Sequence, residues 1–147
     1  MTEALRVSQE LRCSPDHAFD VWTSRLSTWW PKGHSASGDP DTVVTLEPRR
    51  GGRIFERTSD GREIDWGEVT VWDPPRRLAY TWHIAWDVAQ ATDVELTFVD
   101  LGDGRTRLDV VHTGWDRFGE ESDRFRTANS GGWGALLPAF ATAAAEG

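Results

Sequence analysis

Four histidines, one tyrosine and a set of strand carboxylates are the groups with which this chain of 147 residues could move protons. The histidines are His17, His34, His83 and His112. None stands at ligand spacing to another, and the lone Cys13 adds no partner, so no metal site and no cofactor are expected. His112 continues the Leu108, Val110 side of a strand and should point inward near Trp115 or the start of the last helix. A histidine so placed is either a hydrogen-bonded core residue or a general base. Burial without a negative partner should lower its pKa, leaving a neutral ring free to meet the polar end of a ligand. His83 has the opposite parity to Tyr80 and Trp82 and should face water, as should His17 in the first turn of a helix. Among the acids Glu56, Asp65, Glu68, Asp93, Glu95 and Asp109, alternation sends Asp93, Glu95 and Asp109 to a wet face. Glu68 stands beside Gly67, where parity is open, since a bulge can re-aim a side chain into a cavity. No G-x-S-x-G motif and no phosphate loop is present, and the cluster Arg49, Arg50, Arg53 reads as a solvated hairpin turn.

Tryptophan is the anomaly: nine, against one tyrosine and six phenylalanines. Trp22, Trp66, Trp82 and Trp133 fall within periodic apolar patterns and read as core or cavity wall. Trp29, Trp30, Trp86 and Trp115 lie at element ends or in loops. The stretch "STWWPKGHS", residues 27–35, sets two of them at the mouth of a turn-forming loop. Rings in such places suit the rim of a cleft that captures an apolar or ring-bearing molecule. They equally suit contact with a second copy of the chain.

These side chains need elements to hold them. "LRVSQEL" alternates and predicts a first strand. "SPDHAFDVW" predicts a helix with Ser14 as N-cap and Pro15 in its first turn. A second short helix over Leu26 to Trp29 must end before Pro31. From "TVVTLEP" to "TRLDVVHT" six strands follow, separated by Gly-Gly, Asp-Gly and Pro-containing turns. Most alternate, as in Leu78, Tyr80, Trp82 and Val94, Leu96, Phe98, which predicts an antiparallel sheet with one dry face. In "REIDWGEVTVW" the phase slips from Ile64, Trp66 to Val69, Val71, which predicts a bulge at Gly67 that curves the sheet. From about Ser122, the recurrence Phe125, Asn129, Trp133, Leu136, Phe140, Ala144 predicts a long helix over the dry face. Pro138 should kink it, since proline cannot donate to the Gly134 carbonyl. Its glycines mark either a weak, bent helix or a close approach to the sheet or a ligand.

Length and composition predict one domain over 1–147, with 38% hydrophobic and 27% charged residues. The net charge of −8 disfavours nucleic acid and anionic membrane as partners. A single cysteine excludes an internal disulfide and suits the cytoplasm. The first residues lack the apolar run of a signal peptide, and no stretch is long and apolar enough for a membrane span.

The order of elements resembles the helix-grip fold of START-like (SRPBCC) proteins, shared by lipid-transfer domains, the birch-pollen allergen and polyketide cyclases. Within it the chain is similar to homologues of the activator of heat-shock-protein ATPase, in their short bacterial form. "SPDHAFDVWT", "WW", "LEPRRGGRIFE", "DGREIDWGEVTVWDPPRRLAYTW", "VELTFVDLGDGRTRLDVVHTGW" and "GGWGALLPAF" carry the resemblance over nearly the whole chain. It implies an α+β fold in which a curved antiparallel sheet of six to seven strands grips the C-terminal helix, with a cavity between them. The expected function is binding of a small hydrophobic or aromatic ligand there, by Trp29, Trp30, Trp66, Tyr80, Trp82, His112, Trp115, Trp133, Leu136 and Leu137. One alternative is a cyclase-like enzyme in which His112, Tyr80 or an inward acid moves protons. Another is a chaperone partner, against which the larger eukaryotic activators carry an N-terminal domain with no counterpart here.

Overall fold

Ser14 begins the first helix by the mechanism its residue type suggests. Its backbone is extended, and its hydroxyl accepts from the His17 N–H at 3.3 Å, satisfying a donor that the first turn leaves without a partner. Helix α1 then runs Pro15–Thr23, and a one-turn α2 runs Leu26–Trp29. Trp30 leaves the helical region with ψ 126°, as the residue before a proline must. In this computed structural model residues 3–84 and 86–146 are described.

Seven strands follow the predicted order: β1 (Leu5–Leu11), β2 (Val43–Leu46), β3 (Arg53–Arg57), β4 (Glu63–Asp73), β5 (Arg77–Trp82), β6 (Thr92–Gly102) and β7 (Arg105–Thr113). They form one sheet in the order β1-β7-β6-β5-β4-β3-β2, every pair antiparallel. The first strand therefore pairs with the last, with Leu5 opposite His112. Alternation holds along β6, where Thr92, Val94, Leu96 and Phe98 are buried. Asp93, Glu95 and Asp109 lie on the outer face, each paired with an arginine. Such exposed pairs contribute little to stability.

The predicted bulge is present. Ile54 pairs with Gly67 and Phe55 with Asp65, so Trp66 is the extra residue on β4, and a second irregularity lies between Val69 and Val71. Gly67 is there for space. A Cβ on it would stand 1.9 Å from the Thr81 carbonyl oxygen. The curvature brings Trp66 and Trp82 edge to face at 5.7 Å. Glu68, whose parity beside the bulge was open from sequence, is exposed: the register recovers by Val69, so Glu68 stays on the outer face, its N–H donating to the Thr81 hydroxyl.

A 3-10 turn, Trp115–Glu121, leads into α3, Ser122–Ala145. Trp133, Leu136, Leu137, Phe140 and Ala144 bury one stripe of α3 in the core that also holds the strand interiors and α1. The helix continues through Pro138. Pro138 and Gly134 are both exposed, so water can reach the carbonyl that the proline cannot serve. At its N-terminal third, α3 is less deeply seated, with Phe125 and Asn129 half-buried.

Candidate functional site

The double tryptophan divides its labour. Trp29 is core: 8% exposed, its indole N–H donates to the Val21 carbonyl at 2.9 Å, and its ring packs on Trp22 and Phe140. Trp30 is half-buried and leans on Trp66 and Trp82, with ring centres at 5.4 and 6.0 Å. Its N–H donates to the His34 carbonyl at 2.6 Å, and the His34 N–H returns to the Pro31 carbonyl. Pro31 to His34 is thus a tight turn with Gly33 at φ +84°, a conformation that glycine adopts without steric cost.

Beyond His34 the loop is tied down by Glu56. This carboxylate is wholly buried and accepts five hydrogen bonds: from the N–H groups of Ala36 and Ser37, the hydroxyls of Ser37 and Thr42, and the Trp66 indole at 3.0 Å. Burial alone would raise its pKa, but the donors outweigh burial and hold it below the usual carboxylate range. Sequence reasoning gave Glu56 no direction; its shared parity with the buried Ile54 was the signal that could have marked it as inward.

Between this loop and α3 lies a cleft of about 290 Å³, walled by Ile84, Trp86, Phe125 and Ala128 and by the turn Gly33–Ser35. It adjoins an inner pocket of about 20 Å³, walled by Trp30, Tyr80, Trp82, Trp133 and Leu136. His34, Asn129 and Gly132 line both. Among the described residues, no aspartate, glutamate, lysine or arginine lines either. His34 is half-buried, and burial lowers its pKa from the ordinary value, so its ring is neutral near pH 7.

Half of the ten expected ligand-binding residues thus meet at the inner pocket: Trp30, Tyr80, Trp82, Trp133 and Leu136. Trp29, Trp66, Trp115, Leu137 and His112 are buried in the core and line neither space. Trp115, read as a loop-end ring, is buried because the 3-10 turn folds it under β7, where its N–H donates to the His112 carbonyl. His17 is half-buried rather than solvated, with its Nε2 covered. Tyr80 is buried beside the Trp22 indole, and burial pushes its phenol well above the ordinary value.

His112 is wholly buried with both ring nitrogens engaged. The Trp133 indole can only donate, so Nδ1, at 3.1 Å, must accept. In the neutral ring the proton is then on Nε2, which donates to the Thr92 hydroxyl at 2.7 Å, and that hydroxyl donates to the Trp82 carbonyl. Burial pushes the His112 pKa down to about 3. A neutral imidazole was expected; one with a spare hydrogen-bonding position was not found, because Thr92 and Trp133 occupy both.

Sequence reasoning missed His34 and Asn129 as cleft residues. The available signal was a polar residue, Asn129, on the apolar stripe of the last helix, and a histidine directly after the double-tryptophan turn.

Comparison with known proteins agrees with this architecture. The family model "Activator of Hsp90 ATPase homolog 1-like protein" matches residues 12–145. No curated protein matches the sequence significantly. Among solved structures, the anthrahydroquino-γ-pyrone synthase Txn09, complexed with SUM, is 36% identical, with 84% of each chain covered and a TM-score of 0.61. The self-sacrificing resistance protein CalC from Micromonospora echinospora is 26% identical, with 96% of this chain and 93% of that one covered and a TM-score of 0.71. PFC0360w, an Hsp90 activator from Plasmodium falciparum, shares the fold at 16% identity, with 77% and 74% covered and a TM-score of 0.56. With the matched span running from the end of β1 to the end of α3, this chain belongs to the Activator of Hsp90 ATPase homolog 1-like family.

Proposed function

We propose that the chain binds a small, largely apolar, ring-bearing molecule in the cleft between the Trp30–Thr42 loop and α3. The observation that carries this is the contact between two spaces: an open apolar cleft of about 290 Å³ and an aromatic inner pocket behind His34 and Gly132. That volume is near the lower end of small-molecule sites, ~300–1,000 Å³. A planar ligand in the cleft would lie against Trp86 and Phe125, with His34 and Asn129 where the cleft meets the inner pocket.

Gly132 gives the test. A Cβ there would meet His34 Cε1 at 3.4 Å, so the position faces the junction of cleft and pocket. Gly132→Leu should fill that junction, while the helix gains from losing a glycine. N-phenyl-1-naphthylamine should quench tryptophan emission saturably in the natural chain and not in Gly132→Leu, with circular dichroism unchanged. Equal saturable quenching in both proteins would refute the location.

A second reading is an enzyme that folds or cyclises its ligand in the same space, and the 36% identity to a pyrone synthase favours it. The geometry narrows its acid–base group. His112 has no free nitrogen, Glu56 is spent on five donors, and the Tyr80 phenol is held protonated, so His34 is the proton carrier in reach. A chaperone-regulating role has only the family name and the shared fold behind it.

A further inference from the structure

Most polar atoms around the cleft and the inner pocket are already used by the protein. The indole N–H of Trp30 goes to His34, that of Trp86 to Gln90 and that of Trp133 to His112. The Ser35 hydroxyl accepts from Gly38. Two side chains that line both spaces keep capacity to spare. The His34 ring makes no hydrogen bond among the described residues, although its backbone is held on both sides by the Pro31 turn and the Trp30 indole. Asn129 spends one amide hydrogen on the Phe125 carbonyl at 2.9 Å, which leaves its oxygen and a second hydrogen. In the inner wall, the Trp82 indole N–H also has no acceptor among the described residues.

We propose that His34 and Asn129 form an uncharged reading pair for an uncharged hydroxyaryl ligand, taking the hydroxyl proton on His34 or Asn129 as acceptor and returning a hydrogen bond to the ligand oxygen. This rests on the binding function proposed above and adds the ligand's chemical class. A neutral imidazole and a carboxamide each offer a donor and an acceptor. They therefore match a group that is itself both, such as a phenol or enol, better than a carboxylate, phosphate or ammonium. Those ions would enter a space lined by aromatic rings and lose water with no counter-charge to replace it. The chain's net charge of −8 adds a further penalty for anions. Trp86 and Phe125, which line the open cleft beside His34 and Asn129, supply the flat walls that an aryl ring needs.

The test uses one ring with three substituents: naphthalene, 1-naphthol and 1-naphthoate, titrated into the full chain by calorimetry at pH 7.5. 1-Naphthol should bind about tenfold more tightly than naphthalene, and 1-naphthoate more weakly than either. His34→Phe and Asn129→Leu should each bring 1-naphthol to the naphthalene level and leave naphthalene within about threefold of its original affinity. His34→Gln, which restores a donor and an acceptor, should recover part of the preference and controls for a folding defect in His34→Phe. Equal binding of naphthalene and 1-naphthol, a preference for 1-naphthoate, or a preference that survives both substitutions would overturn the reading pair while leaving the cleft as a binding site. Absence of binding by all three would overturn the cleft reading itself.

Discussion

His112 and His34 show how surroundings decide what an imidazole does. Both are neutral near pH 7 because burial disfavours the cation. His112 spends its two nitrogens inside the core, whereas the His34 ring lines the cleft and makes no hydrogen bond among the described residues. Because the folded pKa of His112 lies near 3 and the unfolded value is about 6.5, the unfolded chain binds the extra proton between those limits. Stability from this group is complete above about pH 6.5 and lost as pH falls, with a slope approaching ~1.4 kcal/mol per pH unit. His112→Gln should cost roughly 1–3 kcal/mol at pH 7 by leaving a buried donor or acceptor unpaired. It should also flatten the acid side of the stability profile, as urea unfolding at pH 7 and pH 4.5 would show. A variant whose profile parallels the natural chain's would mean that His112 titrates normally. The inward direction of His112 was legible from strand parity, and so was its neutrality. Its engagement by Thr92 and Trp133 was not, because those partners are 20 and 21 residues away in sequence and meet it only once β6 and α3 are in place.

At the scale of elements, two glycines separate necessity from tolerance. Gly67 lets β4 press against β5, and Gly67→Ala would force its Cβ into the Thr81 carbonyl oxygen. Gly131, on the exposed side of α3, has nothing within 4 Å of its would-be Cβ. Gly67→Ala should therefore lower the melting temperature by several degrees. Gly131→Ala should raise it by about 2–4 °C, given ~1 kcal/mol for glycine replacement in a helix. Thermal melts of the two variants check both signs. The loop from Trp30 to Thr42 depends on Glu56 in the same direct way. Its depressed pKa means that its contribution is present above the ordinary carboxylate value and lost as pH falls through the lower folded value. Glu56→Gln puts an amide hydrogen where donors converge and should cost about 1–3 kcal/mol at neutral pH. Limited proteolysis should then cut within 36–42 in the variant first; uncut loops in both proteins would show that the knot is dispensable. The short β3 carried the clue to Glu56 in its parity with Ile54. What the sequence could not display was the loop folding back to supply the donors.

Over the whole molecule, local rules were enough for the frame. The Ser14 cap, the alternation of β5 to β7, the phase slip at Gly67 and the apolar stripe of α3 each act over a few residues, and all are found where those rules put them. The cleft is a different kind of object. It is found where α3 leaves Phe125 and Asn129 half-buried, in contrast to the buried Trp133 and Phe140, and where a loop distant in sequence supplies the facing wall. Of the ten residues expected to meet a ligand, nine are buried in the core and five of the ten line the inner pocket, since the space under a curved sheet is filled before any is left over. That loop is fastened where the Trp30 indole meets the His34 carbonyl and again at Ala36 and Ser37, and Lys32, Gly33 and Ser35 stand outside the buried core. A segment held largely through its backbone leaves exposed side chains such as that of Lys32 open to change while the scaffold stands. Chains of this architecture can thus vary at such positions without losing the frame, and one frame appears in both a synthase and a resistance protein.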